Sequence, residues 1–113
     1  MLTGLGRYVD DVARPAMLHA AIVRSPHAHA TIRGVEVASP SSVAGFVRCL
    51  TSADLGAPRL IPVRIGPHES FAPHLQPPLA ASVARYVGEP VAVVLATSAA
   101  AAEDAAEAVR VEY

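Results

Sequence analysis

Residues 90–113 read PVAVVLATSAAAAEDAAEAVRVEY. Residues 91–96 are uninterruptedly apolar and rich in Val, the composition of a central strand covered on both faces. Thr97 or Ser98 then supplies an N-cap oxygen for a helix of Ala, Glu and Asp. On that helix Ala101, Ala105, Ala108 and Val109 fall at i, i+4, i+7 and i+8 along one stripe, with Glu103, Asp104 and Glu107 opposite. A buried face made almost wholly of alanine lets the helix lie very close to a sheet. Val109, Val111 and Tyr113 alternate with Arg110 and Glu112, a half-buried strand by period. The spacing predicts a strand–helix–strand ending of βαβ type.

Upstream, Gly88-Glu89-Pro90 marks a kink between two extended pieces, because proline disfavours α geometry at Glu89 and Gly88 accepts positive φ. Residues 56–78 hold six of the ten prolines. Proline donates nothing to a ladder and breaks helices, so a long loop without a helix is expected there. Leu60, Ile61, Val63, Ile65, Phe71 and Leu75 make that loop too apolar for plain disorder. Phe46 to Thr51 reads as a strand. Ser39-Pro40 reads as an N-cap with proline at N1, opening a short helix that ends at Gly45. Ala30 and Ile32 are apolar at even positions, Val35 and Val37 at odd ones. The slip falls at Gly34, as a β-bulge would place it. Met17 to Arg24, bounded by Pro15 and Pro26, suits a strand buried on both faces. The whole reads as one α+β domain over residues 1–113: a mixed β-sheet with a bulged strand, a strand–helix–strand ending and a long Pro-rich loop.

Composition bounds what such a domain does. At 113 residues there is room for one domain and no second one. Leu, Ile, Val and Phe supply about a quarter of the residues, above the roughly 20% that marks disorder. Net charge is −1 and the arginines are scattered singly, so no basic stripe exists for a nucleic acid. The longest apolar run is far below the roughly 20 residues of a membrane span. Met1-Leu2-Thr3-Gly4 does not begin a secretory signal, and Cys49, alone in an apolar stretch, has no partner for a disulfide or a thiolate cluster. A reducing, cytoplasmic setting is therefore expected, with Cys49 a buried inert thiol.

The residues that could carry chemistry each have a plainer role. His27-Ala28-His29 could set two imidazoles on one strand face, but no nearby carboxylate or cysteine completes a metal site, and His19, His68 and His74 lie elsewhere in sequence. Hydrogen bonding of the rings to backbone is the reading preferred. Ser25 beside His27 lacks the strand–turn–helix elbow of a serine nucleophile. Gly4-Leu5-Gly6 lacks the third glycine and the preceding strand of a dinucleotide site. Asp10-Asp11 reads as a turn or cap, since adjacent carboxylates point to different sides. Glu89 sits among apolar neighbours (YVGEPVAV), where a raised pKa is conceivable, although a turn residue facing solvent or capping a neighbour is preferred.

Four segments, LTGLGRYVDD (2–11), MLHAA running to RSPHAHA (17–30), RYVGEPVA (85–92) and AEDAAE (102–107), resemble in order and spacing the N-terminal a/b hammerhead domain of molybdenum hydroxylase large subunits. That is the xanthine dehydrogenase, aldehyde oxidase and aerobic carbon monoxide dehydrogenase family. The resemblance covers essentially the whole chain and is most specific at RSPHAHA and RYVGEPVA. It implies an intact enzyme whose molybdenum–pterin cofactor supplies the hydroxylation chemistry, with [2Fe–2S] clusters and FAD passing electrons on. It implies partners too: the other domains of the large subunit, and iron–sulfur and FAD subunits or domains.

The family's pterin contacts and catalytic glutamate lie C-terminal to the hammerhead. The resemblance therefore assigns no catalytic, cofactor-binding or metal residue to this chain, and His19, His27, His29 and Glu89 gain no role from belonging to family strings. It implies that the domain packs beside the molybdenum domains and helps wall the approach to the centre. The apolar loop at 59–79 is expected to face that approach or a neighbouring subunit, and burial of that loop in the domain's own core would refute the expectation. The alternatives are a stand-alone binding or interaction module on the same fold, and a small metal-binding protein using His27 and His29.

Overall fold

A computed structural model describes residues 6, 8–37, 42–57, 60–64, 66 and 68–113. The Ser39-Pro40 helix start and Gly4-Leu5 lie outside them. Among the described residues seven strands and one α-helix follow in order: β1 (His19–Arg24), β2 (Ala30–Thr31), β3 (Gly34–Val37), β4 (Phe46–Thr51), β5 (Val83–Ala84), β6 (Pro90–Ala96), α1 (Ala99–Glu107) and β7 (Val109–Glu112). They form an α+β fold of three small sheets, β1-β6-β4, β2-β5 and β3-β7, and every pairing is antiparallel.

The all-apolar run became the central strand. In β6, Ala92, Val94 and Ala96 on one pleat are buried; on the other pleat Val91 is buried while Val93 and Leu95 are half-buried. Helix α1 lies across β1 and β6. Ser98 is its N-cap, with its hydroxyl accepting the Ala101 N–H at 3.2 Å. Ala101, Ala102 and Ala105 are its buried residues, and Ala101 and Ala102 cluster with Ala21 and Ala96. With only methyl groups between helix and sheet, the backbones come close. Gly45, just before β4, lies close against the junction of β6 and α1: its φ is +88°, its carbonyl accepts the Thr97 N–H at 2.9 Å, and a Cβ there would lie 2.5 Å from Thr97 Oγ1.

Four expectations need correction. The strand–helix–strand ending exists, but it is no parallel βαβ unit, because β6 and β7 join different sheets. The slip at Gly34 is not a bulge within one ladder: Ala30–Thr31 pairs with β5 and Gly34–Val37 with β7, so the chain changes sheets there and the apolar face changes with it. The register irregularities fall instead at Val23/Arg24 and Phe46/Arg48, against β6. Strand β1 is buried on one face only. It is an edge strand in which Ala21 packs under the helix while Ile22 stays 45% exposed. Last, the proline loop does hold a helix, the six-residue 3-10 turn Glu69–His74. A 3-10 turn this short tolerates Pro73 near its end, where the missing N–H forgoes one weak bond.

Candidate functional site

The two strings most specific in the sequence, 24–30 and 85–92, interlock. Residues 86–89 make a turn closed by Glu89 N–H donating to the Tyr86 carbonyl at 3.2 Å, with Gly88 at φ +90° as a type II turn requires. The end of β1 is sewn onto that turn. Ser25 N–H donates to the Glu89 carbonyl at 2.9 Å, Gly88 N–H to the Ser25 carbonyl at 2.8 Å, and Arg24 Nη1 to the Gly88 carbonyl at 2.9 Å.

The buried polar side chains of this clasp serve the backbone. Ser25 is 1% exposed; its hydroxyl accepts the His27 N–H at 3.1 Å and donates to the His27 carbonyl at 3.2 Å. It meets no imidazole, so it is a turn residue and no nucleophile. Ser25→Ala should speed amide exchange at His27 about 5-fold in the folded protein, the loss of one net hydrogen bond of roughly 1 kcal/mol. An unchanged exchange rate would refute that role.

Glu89 is 2% exposed and does not face solvent. Its carboxylate accepts the Arg85 backbone N–H, Arg85 Nε at 3.0 Å and Arg85 Nη2. Burial, the largest single influence, pulls its pKa up. The Arg85 hydrogen bonds and charge, helped by the Tyr86 amide, outweigh it and leave the group below its ordinary 4.5. The raised pKa that the apolar context allowed does not arise. The signal for the pair was in the sequence: Arg85 stands four residues before Glu89 in RYVGE.

The histidines do not converge. His19 lies in β1 opposite Ala96, and the His27 ring stands edge-on to Tyr113 with centroids 4.6 Å apart. His29 is exposed. His68 caps the 3-10 turn, its Nδ1 accepting the Ser70 N–H at 3.2 Å, and His74 ends that turn. Among the described residues no group of three or more His, Cys, Asp or Glu could hold a metal ion. Cys49 is half-buried, and burial first and the Asp54 charge second push its thiol pKa up, the opposite of an activated cysteine. Asp11 accepts the Tyr8 N–H at 2.8 Å, the cap expected of the Asp10-Asp11 pair.

The remaining feature is the loop. Its two ends are joined where Ile61 N–H donates to the Gln76 carbonyl at 2.8 Å, and Tyr86 Oη reaches Gln76 Oε1 at 3.3 Å. Between them lies an apolar groove of about 430 Å³ lined by Pro62, Val63, Phe71 and Leu75, with His68 and Glu69 as its polar edge. Leu60 and Ile61 are 45% and 55% exposed, and Phe71 and Leu75 are only half-buried. Ile65 lies outside the described residues. The domain does not take these side chains into its own core.

The described residues thus form an α+β domain with a structural polar clasp and an apolar loop left outside its core. Residues 3–113 match the family described as "Aldehyde oxidase and xanthine dehydrogenase, a/b hammerhead domain", and the chain belongs to that family. It is 42% identical over 112 residues to the nicotine 6-hydroxylase large subunit of Paenarthrobacter nicotinovorans, covering 99% of this chain and 14% of that protein. It is 36% identical over 110 residues to the carbon monoxide dehydrogenase large chain of Afipia carboxidovorans, covering 97% and 13%. Its fold superposes on quinoline 2-oxidoreductase of Pseudomonas putida 86 with a TM-score of 0.82 and 43% identity, over 99% of this chain and 14% of that one. The chain therefore spans about a seventh of these relatives and corresponds to one domain of a molybdenum hydroxylase large-subunit family. No helix among the described residues is long and apolar enough to cross a membrane.

Proposed function

We propose that this domain packs against the molybdenum-binding part of a hydroxylase large subunit and walls the substrate's approach, supplying no catalytic, cofactor or metal ligand itself. The observation that carries the reading is the loop at 60–76, whose Leu60, Ile61, Phe71 and Leu75 remain outside the domain's own core around an apolar groove. The donor set agrees. A [2Fe–2S] cluster takes four Cys, or two Cys and two His, and this chain has one cysteine, so its residues do not fit a cluster. The molybdenum–pterin, iron–sulfur and FAD groups of such an enzyme would be held by its other domains or subunits, in the cytoplasm. Similarity to enzymes named for nicotine and quinoline favours an N-heteroaromatic substrate for that enzyme.

Phe71→Ala tests the wall. In the assembled enzyme it should raise KM for a bulky aromatic substrate about 5-fold, on the order of 1 kcal/mol of lost apolar contact, with kcat and molybdenum content unchanged. A KM unmoved for every substrate would contradict the role.

A further inference from the structure

The three small sheets leave a cleft where they meet. The chain crosses from β2 to β3 at residues 32–33, and since the two strands join different ladders, neither ladder closes the gap. The cleft holds about 200 Å³. Val91 and Ala80, 1% and 3% exposed, form its floor, and Ile32 and Val35, both half-buried, stand above them. Toward solvent lie half-buried Ser52 and exposed Arg33. Backbone hydrogen bonds fix this lining. Ile32 N–H donates to the Ser82 carbonyl, Arg33 N–H to the Glu112 carbonyl and Ala80 N–H to the Pro90 carbonyl, each at 2.8 Å. A ligand entering the cleft therefore has little chain to order.

The cleft carries charge of one sign. Arg33 is the one charged residue among those that line it. Neither its guanidinium nor the Ser52 hydroxyl has an ion pair or hydrogen bond among the described residues. The carboxylate on the adjoining 3-10 turn, Asp54, is already engaged. It accepts the Thr51 N–H at 2.8 Å and the Thr51 hydroxyl at 3.0 Å, and it pairs with Arg48 at 2.9 Å.

We propose that this cleft binds a small monocarboxylate with an apolar body, such as a one-ring aromatic acid. The ring lies against Val91 and Ala80, and the carboxylate stays at the rim on Arg33 and Ser52. A guanidinium fork meets both carboxylate oxygens, and the free hydroxyl supplies one more donor. Inorganic phosphate fits less well, because it leaves the apolar floor and walls without a partner. A neutral ring leaves the guanidinium without one. The chain's net charge of −1 draws no anion from a distance, so the preference for a carboxylate comes from Arg33 itself. This site does not depend on the packing role proposed above.

The test titrates the full chain, labelled with nitrogen-15, with benzoate, acetate and benzyl alcohol at one ionic strength, following amide chemical shifts. Benzoate should shift the amides at 32–35, 52–53 and 91, with a Kd on the order of 1 mM for a ligand of this size. Acetate, with the charge but no ring, and benzyl alcohol, with the ring but no charge, should each bind about 5-fold or more weakly. Arg33→Gln should weaken benzoate about 5-fold, and Arg33→Lys, which keeps the charge without the fork, should recover part of that. Arg33 is exposed and unpaired, so both variants should keep the amide shifts of β1 and α1. Benzoate that leaves the cleft amides unmoved overturns the proposal. So does benzoate that binds Arg33→Gln equally well, benzyl alcohol or acetate that binds as tightly as benzoate, or benzoate that shifts amides around exposed Arg14, Arg64 and Arg110 as strongly.

Discussion

Arg85→Met should cost about 3 kcal/mol of folded-state stability, because it strands the Glu89 carboxylate without its charge partner in a site only 2% exposed. Arg85 itself is 35% exposed, which puts the loss at the lower end of the range for broken buried pairs. The clasp of Ser25, Gly88 and Glu89 loosens with it. Amides at 91–96 should exchange about 100-fold faster than in the unsubstituted protein.

The pH dependence gives a second readout. In the native protein the Glu89 pKa lies below its ordinary 4.5. A depressed carboxylate contributes its stability in full above the unfolded value and loses it as pH falls through the folded one. The native protein should therefore weaken as pH drops below about 4.5. In Arg85→Met the burial influence is no longer outweighed by the guanidinium, the carboxyl pKa moves up, and that acid-side loss shrinks. Equal slopes in the two proteins would sink the assignment of Glu89 to this role.

Gly45→Ala should cost about 2–4 kcal/mol. A left-handed φ of +88° penalises any L side chain by roughly 1–2 kcal/mol. The new methyl would meet Thr97 Oγ1 at 2.5 Å and Ala101 Cβ at 3.3 Å. The loop cannot retreat freely, because the Gly45 carbonyl holds the Thr97 N–H. Combining Gly45→Ala with Thr97→Ala should recover the overpacking part, roughly 1–2 kcal/mol, and leave the backbone part. If the double variant recovers nothing, helix and sheet are not in the close contact described.

The parts of this fold that were legible in sequence are those set by local pattern. The Val-rich run announced β6, and Thr97 or Ser98 announced the helix start, which falls to Ser98; of the stripe Ala101, Ala105, Ala108 and Val109, the first two are buried on the helix, while Ala108 and Val109 lie past its end and are half-buried. The parts that were not legible depend on which ladder a strand joins. Nothing in residues 30–37 says that β2 and β3 pair with different partners, because a period-2 slip at Gly34 looks the same for a bulge and for a change of sheet. β1 read as doubly buried because Ile22 and Val23 are apolar, and periodicity does not tell a residue covered by its own domain from one left for a neighbour. The clasp was half legible. Arg85 and Glu89 stand at i and i+4, but their junction with Ser25 spans sixty-odd residues of sequence and only the fold brings it about. The groove was legible only as an excess of apolar residues in a proline-stiffened loop.

The most direct test of the central claim is a photo-crosslinking amino acid placed at Ile61, in the exposed loop, within the assembled enzyme. The account predicts crosslinks to the molybdenum-binding part of the large subunit, adjoining the substrate's path. Crosslinks confined to another copy of this domain, or none above the level given by an exposed position on α1 such as Glu103, would contradict it.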